Sequence, residues 1–208
     1  MSELGVRAGA PLLGRVRVPG DKSISHRALL LGAIASADSH VDGFLPSADC
    51  LATLDAVRAL GVVVDEHSPT TLTVHGAGLR GLREPAEVID CRRSGTTMRL
   101  LAGLLAGQPF LSVLSGDAQL RRRPMARVVE PLRSMGPVVL GRDGGRLPPL
   151  AIQGGELHGI DYSLPVASAQ VKSALLLAAL YARGVTRLSV PGPARDHTER
   201  MLAAMGAE

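Results

Sequence analysis

Apolar and polar positions along the chain form a pattern that recurs three times. Each copy opens with a Ser-containing turn that runs into an apolar helix: Ser23-Ile-Ser-His-Arg-Ala-Leu-Leu-Leu, Ser94-Gly-Thr-Thr-Met-Arg-Leu-Leu and Ser168-Ala-Gln-Val-Lys-Ser-Ala-Leu-Leu-Leu. These starts lie 71 and 74 residues apart. Each copy continues into a second helical segment that ends in an apolar residue followed by Gly, over Asp49 to Gly61, Pro124 to Gly136 and Asp196 to Gly206. The closing glycines are 75 and 70 apart, so two independent markers give one period.

After Gly61 and Gly136 the period changes to that of strands. Val62-Val-Val-Asp with Thr71-Leu-Thr-Val-His, and Val138-Val-Leu with Leu150-Ala-Ile-Gln, read as strand pairs, the second around the turn Gly141-Arg-Asp-Gly-Gly. A strand also precedes each second helix, as in Leu111-Ser-Val-Leu and Arg187-Leu-Ser-Val. The expectation is an α/β fold of the α+β type, with three β-α-β-α-β-β units around a pseudo-threefold axis. The third copy stops two residues past its glycine, so its last two strands are expected to be missing and the unit truncated. That reads as the front part of a longer protein; a shortened final repeat acting as a cap is the alternative.

Composition alters this picture in three places. At 208 residues and 46% hydrophobic, the chain is long enough for a substantial core, and no apolar run reaches the length of a membrane span or a signal peptide. The cytoplasm is the expected location. Cys50 and Cys91 have no CxxC spacing, so buried thiols are expected rather than a disulfide or a zinc site. The net charge is +4, but Lys22 and Lys172 are the only lysines among 23 basic residues, and four aromatic residues leave no stacking platform for nucleic acid. Small anions are the better match to this charge.

The chemistry sits at the repeated helix starts. A first helical turn has unpaired N–H groups and partial positive charge, and each start here carries hydroxyls beside cations. Ser23 and Ser25 adjoin Lys22 and Arg27; Ser94, Thr96 and Thr97 adjoin Arg93 and Arg99; Ser168 adjoins Lys172. Packed around a pseudo-threefold axis, they would converge on one polyanion. Ordinary N-capping is the alternative for each Ser. Of the run Arg121-Arg-Arg, Arg123 before Pro124 is the constrained one and is expected to bind ligand, while the other two face solvent. Arg195 opens a helix with a cap-like Thr198 and is expected to face the anion. His26 and His197 lack a paired nucleophile or carboxylate and read as structural. No metal cluster, Walker loop or dinucleotide fingerprint is present in the sequence.

Five segments, Pro19-Gly-Asp-Lys-Ser-Ile-Ser-His-Arg-Ala, Ser94-Gly-Thr-Thr-Met-Arg-Leu, Leu120-Arg-Arg-Arg-Pro-Met, Pro165-Val-Ala-Ser-Ala-Gln-Val-Lys-Ser-Ala and Arg195-Asp-His-Thr-Glu, resemble the signature blocks of the 5-enolpyruvylshikimate-3-phosphate synthases, in order along the whole chain. The resemblance implies a transferase of aromatic amino acid and chorismate biosynthesis. Such enzymes move the enolpyruvyl group of phosphoenolpyruvate to the 5-hydroxyl of shikimate 3-phosphate and release phosphate. It implies that Lys22, Ser23, Arg27, Ser168, Ala169, Gln170 and Arg195 hold shikimate 3-phosphate, and that Lys22, Gly95, Arg123 and Gln170 meet phosphoenolpyruvate. Lys22 is the one residue implied in catalysis itself; the principal acid and base groups belong to a second half. Neither metal nor cofactor is implied, nor any nucleic-acid or membrane partner, and full-length members are expected to be monomeric.

Residues 1–18 would cross to the second domain, and 19–208 would form the shikimate-3-phosphate-binding domain. Alone, the chain is expected to be an inactive or weakly binding half that needs its complementary C-terminal half. A non-catalytic anion-binding or assembly module, and a cell-wall-type enolpyruvyl transferase, are the alternatives. Two departures stand out: Arg92-Arg93 replaces the family's usual Gly-Asn and is expected to crowd the phosphoenolpyruvate side, and Ala194 replaces a usual Ser or Thr.

Overall fold

The computed structural model describes residues 3–11 and 13–207. Met1, Ser2 and Leu12 of the expected opening segment, and Glu208 at the end of the expected domain, lie outside the described residues.

The first unit holds α1 (Lys22–Ile34), β1 (Ser39–Asp42), α2 (Ala48–Ala59), β2 (Val64–Ser68) and β3 (Thr71–Val74). The second holds β4 (Ile89–Asp90), α3 (Gly95–Ala106), β5 (Leu111–Ser115), α4 (Ala126–Met135), β6 (Val138–Gly141), the single turn α5 (Arg142–Gly145) and β7 (Leu147–Gln153). The third follows a short strand β8 (Leu157–His158) and holds β9 (Asp161–Ser163), α6 (Ala169–Ala179), β10 (Ala182–Arg183), β11 (Arg187–Ser189) and α7 (His197–Ala204).

One pairing rule runs through all three units. The second unit forms a sheet of order β4-β5-β7-β6, parallel at β4-β5 and antiparallel thereafter. The first unit reproduces its last three members as β1-β3-β2, and the third its first two as the parallel pair β9-β11. The three-copy reading therefore holds, with one correction: among the described residues the first unit has no opening strand. Residues 15–18 alternate Arg and Val but are exposed, Val16 at 89%, so no buried face sets a register for them. Among the described residues no strand follows α7. The small parallel pair β8-β10 falls outside the expected pattern.

The helices form a ring in which α2 packs between α1 and α3, α4 between α3 and α6, and α7 between α6 and α1. Their closing glycines take positive φ (Gly61 86°, Gly136 124°, Gly206 83°), which only glycine adopts without strain. Each glycine N–H returns to a carbonyl of the last turn, Arg58, Arg133 and Ala203 in order. The inner helices are apolar nearly all round because they are enclosed; every residue of α3 except Arg99 is buried. Closest of all is α3 against α6. A Cβ on Gly103 would lie 2.0 Å from the Ala174 carbonyl oxygen, so glycine is what lets the two backbones touch. The three junctions differ in cover. Leu60 and Met135, just before their glycines, are fully buried, whereas the equivalent Met205 is 46% exposed beside a groove of about 630 Å³ lined by Leu31, Ile34, Leu79, Leu180 and Leu202.

Candidate anion-binding site

Ser94 and Ser168 take the capping role given as the alternative for them, at α3 and α6, their hydroxyls accepting from Thr97 N and Val171 N. The first helix differs. Its cap is Asp21, whose carboxylate accepts from Ile24 N at 2.9 Å, so Ser23 lies within the first turn as its second residue. A carboxylate stabilised at a helix start already answers the positive end of the dipole; the Ile24 N–H, ahead of smaller effects from Ser23, His197 and Arg195, holds the Asp21 carboxyl below its ordinary range. Two of the three starts therefore keep neutral caps.

Around α1 the expected residues meet. Lys22 is exposed and its Nζ donates to Asp49 Oδ2 at 2.8 Å, across to the first turn of α2. Arg195 Nη1 donates to Ser23 Oγ at 3.0 Å. Arg27 is only 4% exposed: Nε donates to Thr198 Oγ1 at 2.6 Å, Nη1 to the Ser23 carbonyl at 2.8 Å and Nη2 to Ser173 Oγ at 2.6 Å. Among the described residues no carboxylate bonds this guanidinium. Burial pushes its pKa down, and Glu199 and Asp21 oppose that only through space. Thr198, expected as a cap, is instead a buried member of this cluster; α7 begins at His197, and the cap position is Asp196, which makes no side-chain cap bond.

A second group surrounds the start of α3. Gly95 is buried, and a Cβ there would lie 2.8 Å from Arg99 Nη1 and 3.0 Å from Arg123 Nη1, so the absent side chain is what admits both guanidinium groups. Arg99 Nη1 donates to Gln170 Oε1 at 2.7 Å and Nη2 to the Pro124 carbonyl at 3.1 Å, while Gln170 Nε2 donates to Thr96 Oγ1 at 2.9 Å. Burial, then the nearby Arg123 and Arg127 charges, lower the Arg99 pKa. Arg123 is half-buried and Arg121 and Arg122 are exposed, as the sequence suggests; however, Pro124 does not open the helix, which starts at Ala126.

Buried hydroxyls join the two groups. Thr97 Oγ1 gives its one proton to acceptors, Ser94 Oγ at 2.7 Å with the Asp49 carbonyl at 3.2 Å as the longer partner, and so accepts from Thr53 at 2.7 Å. Thr53 then accepts from His26 Nδ1 at 2.6 Å. His26 is thus structural, fully buried and neutral, its pKa lowered to about 4 chiefly by burial.

Three expectations change here. Lys172, expected as the cation beside Ser168, is ion-paired to Glu199 with its side chain nearly buried, tying α6 to α7. Arg92 takes φ 50°, a left-handed conformation that suits the glycine the resemblance expects, and its side chain is held by Asp55 at 2.5 Å. Arg93 is held by Asp117 at 3.1 Å. Both side chains therefore bond acids outside the Gly95 and Arg123 group. Replacing Arg92 with Gly relieves about 1 kcal/mol of backbone strain and loses an exposed ion pair worth at most about as much. Arg92→Gly is accordingly expected to leave the melting temperature within a few degrees of wild type, measured by thermal unfolding.

Sequence reasoning missed Asp49 and Ser173 as members of the cluster, read Thr198 only as a cap, and named Arg99 beside the second start without its partners. Arg99 carried a signal, being the one charged residue in the α3 run, and the others are joined to it only by tertiary packing. Cys50 and Cys91 are buried free thiols, with burial raising both pKa values. Among the described residues no group of His, Cys, Asp and Glu is arranged to hold a metal ion, and no helix is long and apolar enough to cross a membrane.

The fold and this face define a repeat-built α/β protein that gathers cations around hydroxyl-capped helix starts. Residues 6–208 match the EPSP synthase (3-phosphoshikimate 1-carboxyvinyltransferase) family, and the chain belongs to it. It is 58% identical over its whole length to the 3-phosphoshikimate 1-carboxyvinyltransferase of Chloroflexus aggregans, covering 48% of that protein. It is 60% identical to that of Alkalilimnicola ehrlichii, over 98% of the chain and 46% of the relative. The EPSP synthase structure from Acinetobacter baumannii superposes with a TM-score of 0.91 at 50% identity, over 94% of this chain and 44% of that one. The chain spans about half the length of the curated relatives it matches.

Proposed function

We propose that this chain supplies the shikimate-3-phosphate side of an enolpyruvyl transfer site. In that site the enolpyruvyl group of phosphoenolpyruvate passes to the 5-hydroxyl of shikimate 3-phosphate and phosphate leaves. The observation that carries this reading is Arg27, a buried cation that no carboxylate among the described residues bonds, at the point where α1, α6 and α7 meet. Burying an uncompensated charge costs several kcal/mol, a cost a bound anion offsets.

On this reading Lys22, Ser23, Arg27, Arg195 and the α6 start at Ser168, Ala169 and Gln170 hold shikimate 3-phosphate. Lys22, Gly95, Arg123 and Gln170 face phosphoenolpyruvate, where the planar fork of Arg123 suits a carboxylate or phosphate and the flanking cations stabilise charge that builds in a tetrahedral intermediate. Lys22 would exchange Asp49 for substrate, and Gln170 would exchange its Arg99 or Thr96 bond. Residues 19–208 form the substrate-binding domain, residues 1–18 lead towards a second domain, and the complementary C-terminal half supplies the remaining acid, base and clamping groups. The cytoplasm, where such substrates arise, is the site of action.

Isothermal titration of the chain with shikimate 3-phosphate is expected to give millimolar to micromolar binding that weakens as salt rises. A folded chain showing no heat and no chemical-shift change at several millimolar ligand would overturn the reading, as would equal affinity for unphosphorylated shikimate.

A further inference from the structure

The side-on edge of the Arg27 guanidinium, Nε and Nη2, does not grip a carboxylate. It grips two hydroxyl oxygens, Thr198 Oγ1 and Ser173 Oγ, each at 2.6 Å. Those oxygens lie 2.7 Å apart, wider than the two oxygens of one carboxylate but still within the span of the same donor fork. Because Arg can only donate, both oxygens accept from it, and their own protons run one way: Thr198 donates to Ser173, and Ser173 donates to the Ala169 carbonyl at 2.6 Å. Every hydrogen in the chain is placed, and both hydroxyls are buried, Thr198 at 1% and Ser173 at 0% exposure. With Nη1 bonded to the Ser23 carbonyl, one N–H on each terminal nitrogen is left without a partner among the described residues.

The same arrangement recurs beside α1. Thr198 and Thr53 each stand eight residues before the glycine closing their helix, α7 and α2 respectively. They serve successive residues of α1: Thr53 takes His26 and Thr198 takes Arg27. In the second unit the equivalent position is Val128, buried and without a hydroxyl. A threonine here is thus no requirement of the repeat; it appears at the two helices that flank α1.

We propose that the Thr198–Ser173 hydroxyl pair is a neutral stand-in for a carboxylate, making Thr198 a positioning residue that fixes the Arg27 guanidinium while leaving its charge available to an anionic substrate. An aspartate or glutamate in this place would hold the same geometry and neutralise the charge. The hydroxyl pair separates the two effects, and through the Ala169 carbonyl it couples Arg27 to the first turn of α6, the other element placed at the substrate. The part concerning ligand rests on the function proposed above; the part concerning Arg27 geometry does not.

Four proteins test it: wild type, Thr198→Val, Thr198→Ser and the remote control Thr73→Val, which removes a buried hydroxyl from β3. The first readout needs no ligand. The Nε–H of Arg27 is expected to appear as a slowly exchanging guanidinium signal in nitrogen-correlated NMR spectra of wild type and Thr198→Ser. In Thr198→Val it should exchange at least tenfold faster. The second readout is shikimate 3-phosphate affinity by titration, expected to fall about tenfold in Thr198→Val, to stay within twofold in Thr198→Ser, and to be unchanged in Thr73→Val at comparable loss of melting temperature. Equal Nε–H exchange in wild type and Thr198→Val overturns the proposal, and so does an affinity loss shared by Thr73→Val, which would mark a merely structural role. Absence of binding in wild type overturns the functional reading instead, and the exchange measurement then decides the positioning claim alone.

Discussion

Arg27→Met is expected to weaken shikimate 3-phosphate binding about 100- to 1,000-fold while leaving the fold at least as stable as wild type, an unusual combination for a buried polar side chain. The loss follows from the N–H groups on its terminal nitrogens, since a charge-assisted hydrogen bond to an anion contributes roughly 1.5–3 kcal/mol. Stability survives because of what stays behind. Thr198 still donates to Ser173 and Ser173 to the Ala169 carbonyl, so no buried donor is orphaned. The Ser23 carbonyl keeps its place in the helical ladder. What disappears is a cation that burial disfavours and that no carboxylate among the described residues bonds, and an unbranched thioether fills the same channel. Thermal unfolding and titration of one preparation check both halves. A melting temperature several degrees below wild type would make Arg27 a structural residue, and unchanged affinity would remove it from the site.

That trade, stability against a charge kept ready, explains which parts of the site were legible in the sequence. Local signals read well. The Ser94 and Ser168 caps depend on residues three positions away, the closing glycines on one backbone conformation, and both appear where the repeat places them. The first helix start was misassigned for a local reason as well: Asp21 and Ser23 are both good caps two residues apart, and the carboxylate prevails by accepting from Ile24 N. The partners of the cations were not legible. Arg27 meets residues 146 and 171 positions away, and Lys22 meets Asp49 27 positions away. Nothing in a linear pattern distinguishes Lys172, consumed by Glu199, from Lys22, which reaches solvent. The repeat does supply a partial guide: counting eight residues back from each closing glycine finds Thr53, Val128 and Thr198, and only the two threonines adjoin α1.

The residue next to Arg27 shows the opposite way of burying a titratable group, and it fixes how the protein responds to acid. His26 is fully buried and neutral, with Nδ1–H given to Thr53 and Nε2 left without a partner among the described residues. Desolvation lowers its pKa to about 4, the Asp49 charge opposing this and Lys22 and Arg27 reinforcing it. In the unfolded chain the imidazole titrates near 6.5. Above that value neither state binds the proton and stability does not depend on this group. Between about 6.5 and about 4 the unfolded chain takes up a proton that the folded one refuses, so stability falls as pH falls. The gap is equivalent to about 3 kcal/mol, fully lost once pH reaches the folded value. The depressed carboxyls of Asp21, Asp65 and Asp117 act in the same direction but at lower pH, since each contributes above its unfolded value near 3.8 and is lost below it. The two processes therefore occupy different windows. Exposed His75, raised by its bonds to Asp65 and Asp38, acts in the opposite sense, contributing stability that grows as pH falls through its raised value. Urea unfolding at pH 7.5, 6, 5 and 4.2 is expected to show a progressive decline for wild type and, for His26→Asn, whose amide donates to Thr53 without titrating, a profile that is level or rises slightly towards acid. An equally steep decline in His26→Asn would place the acid sensitivity elsewhere.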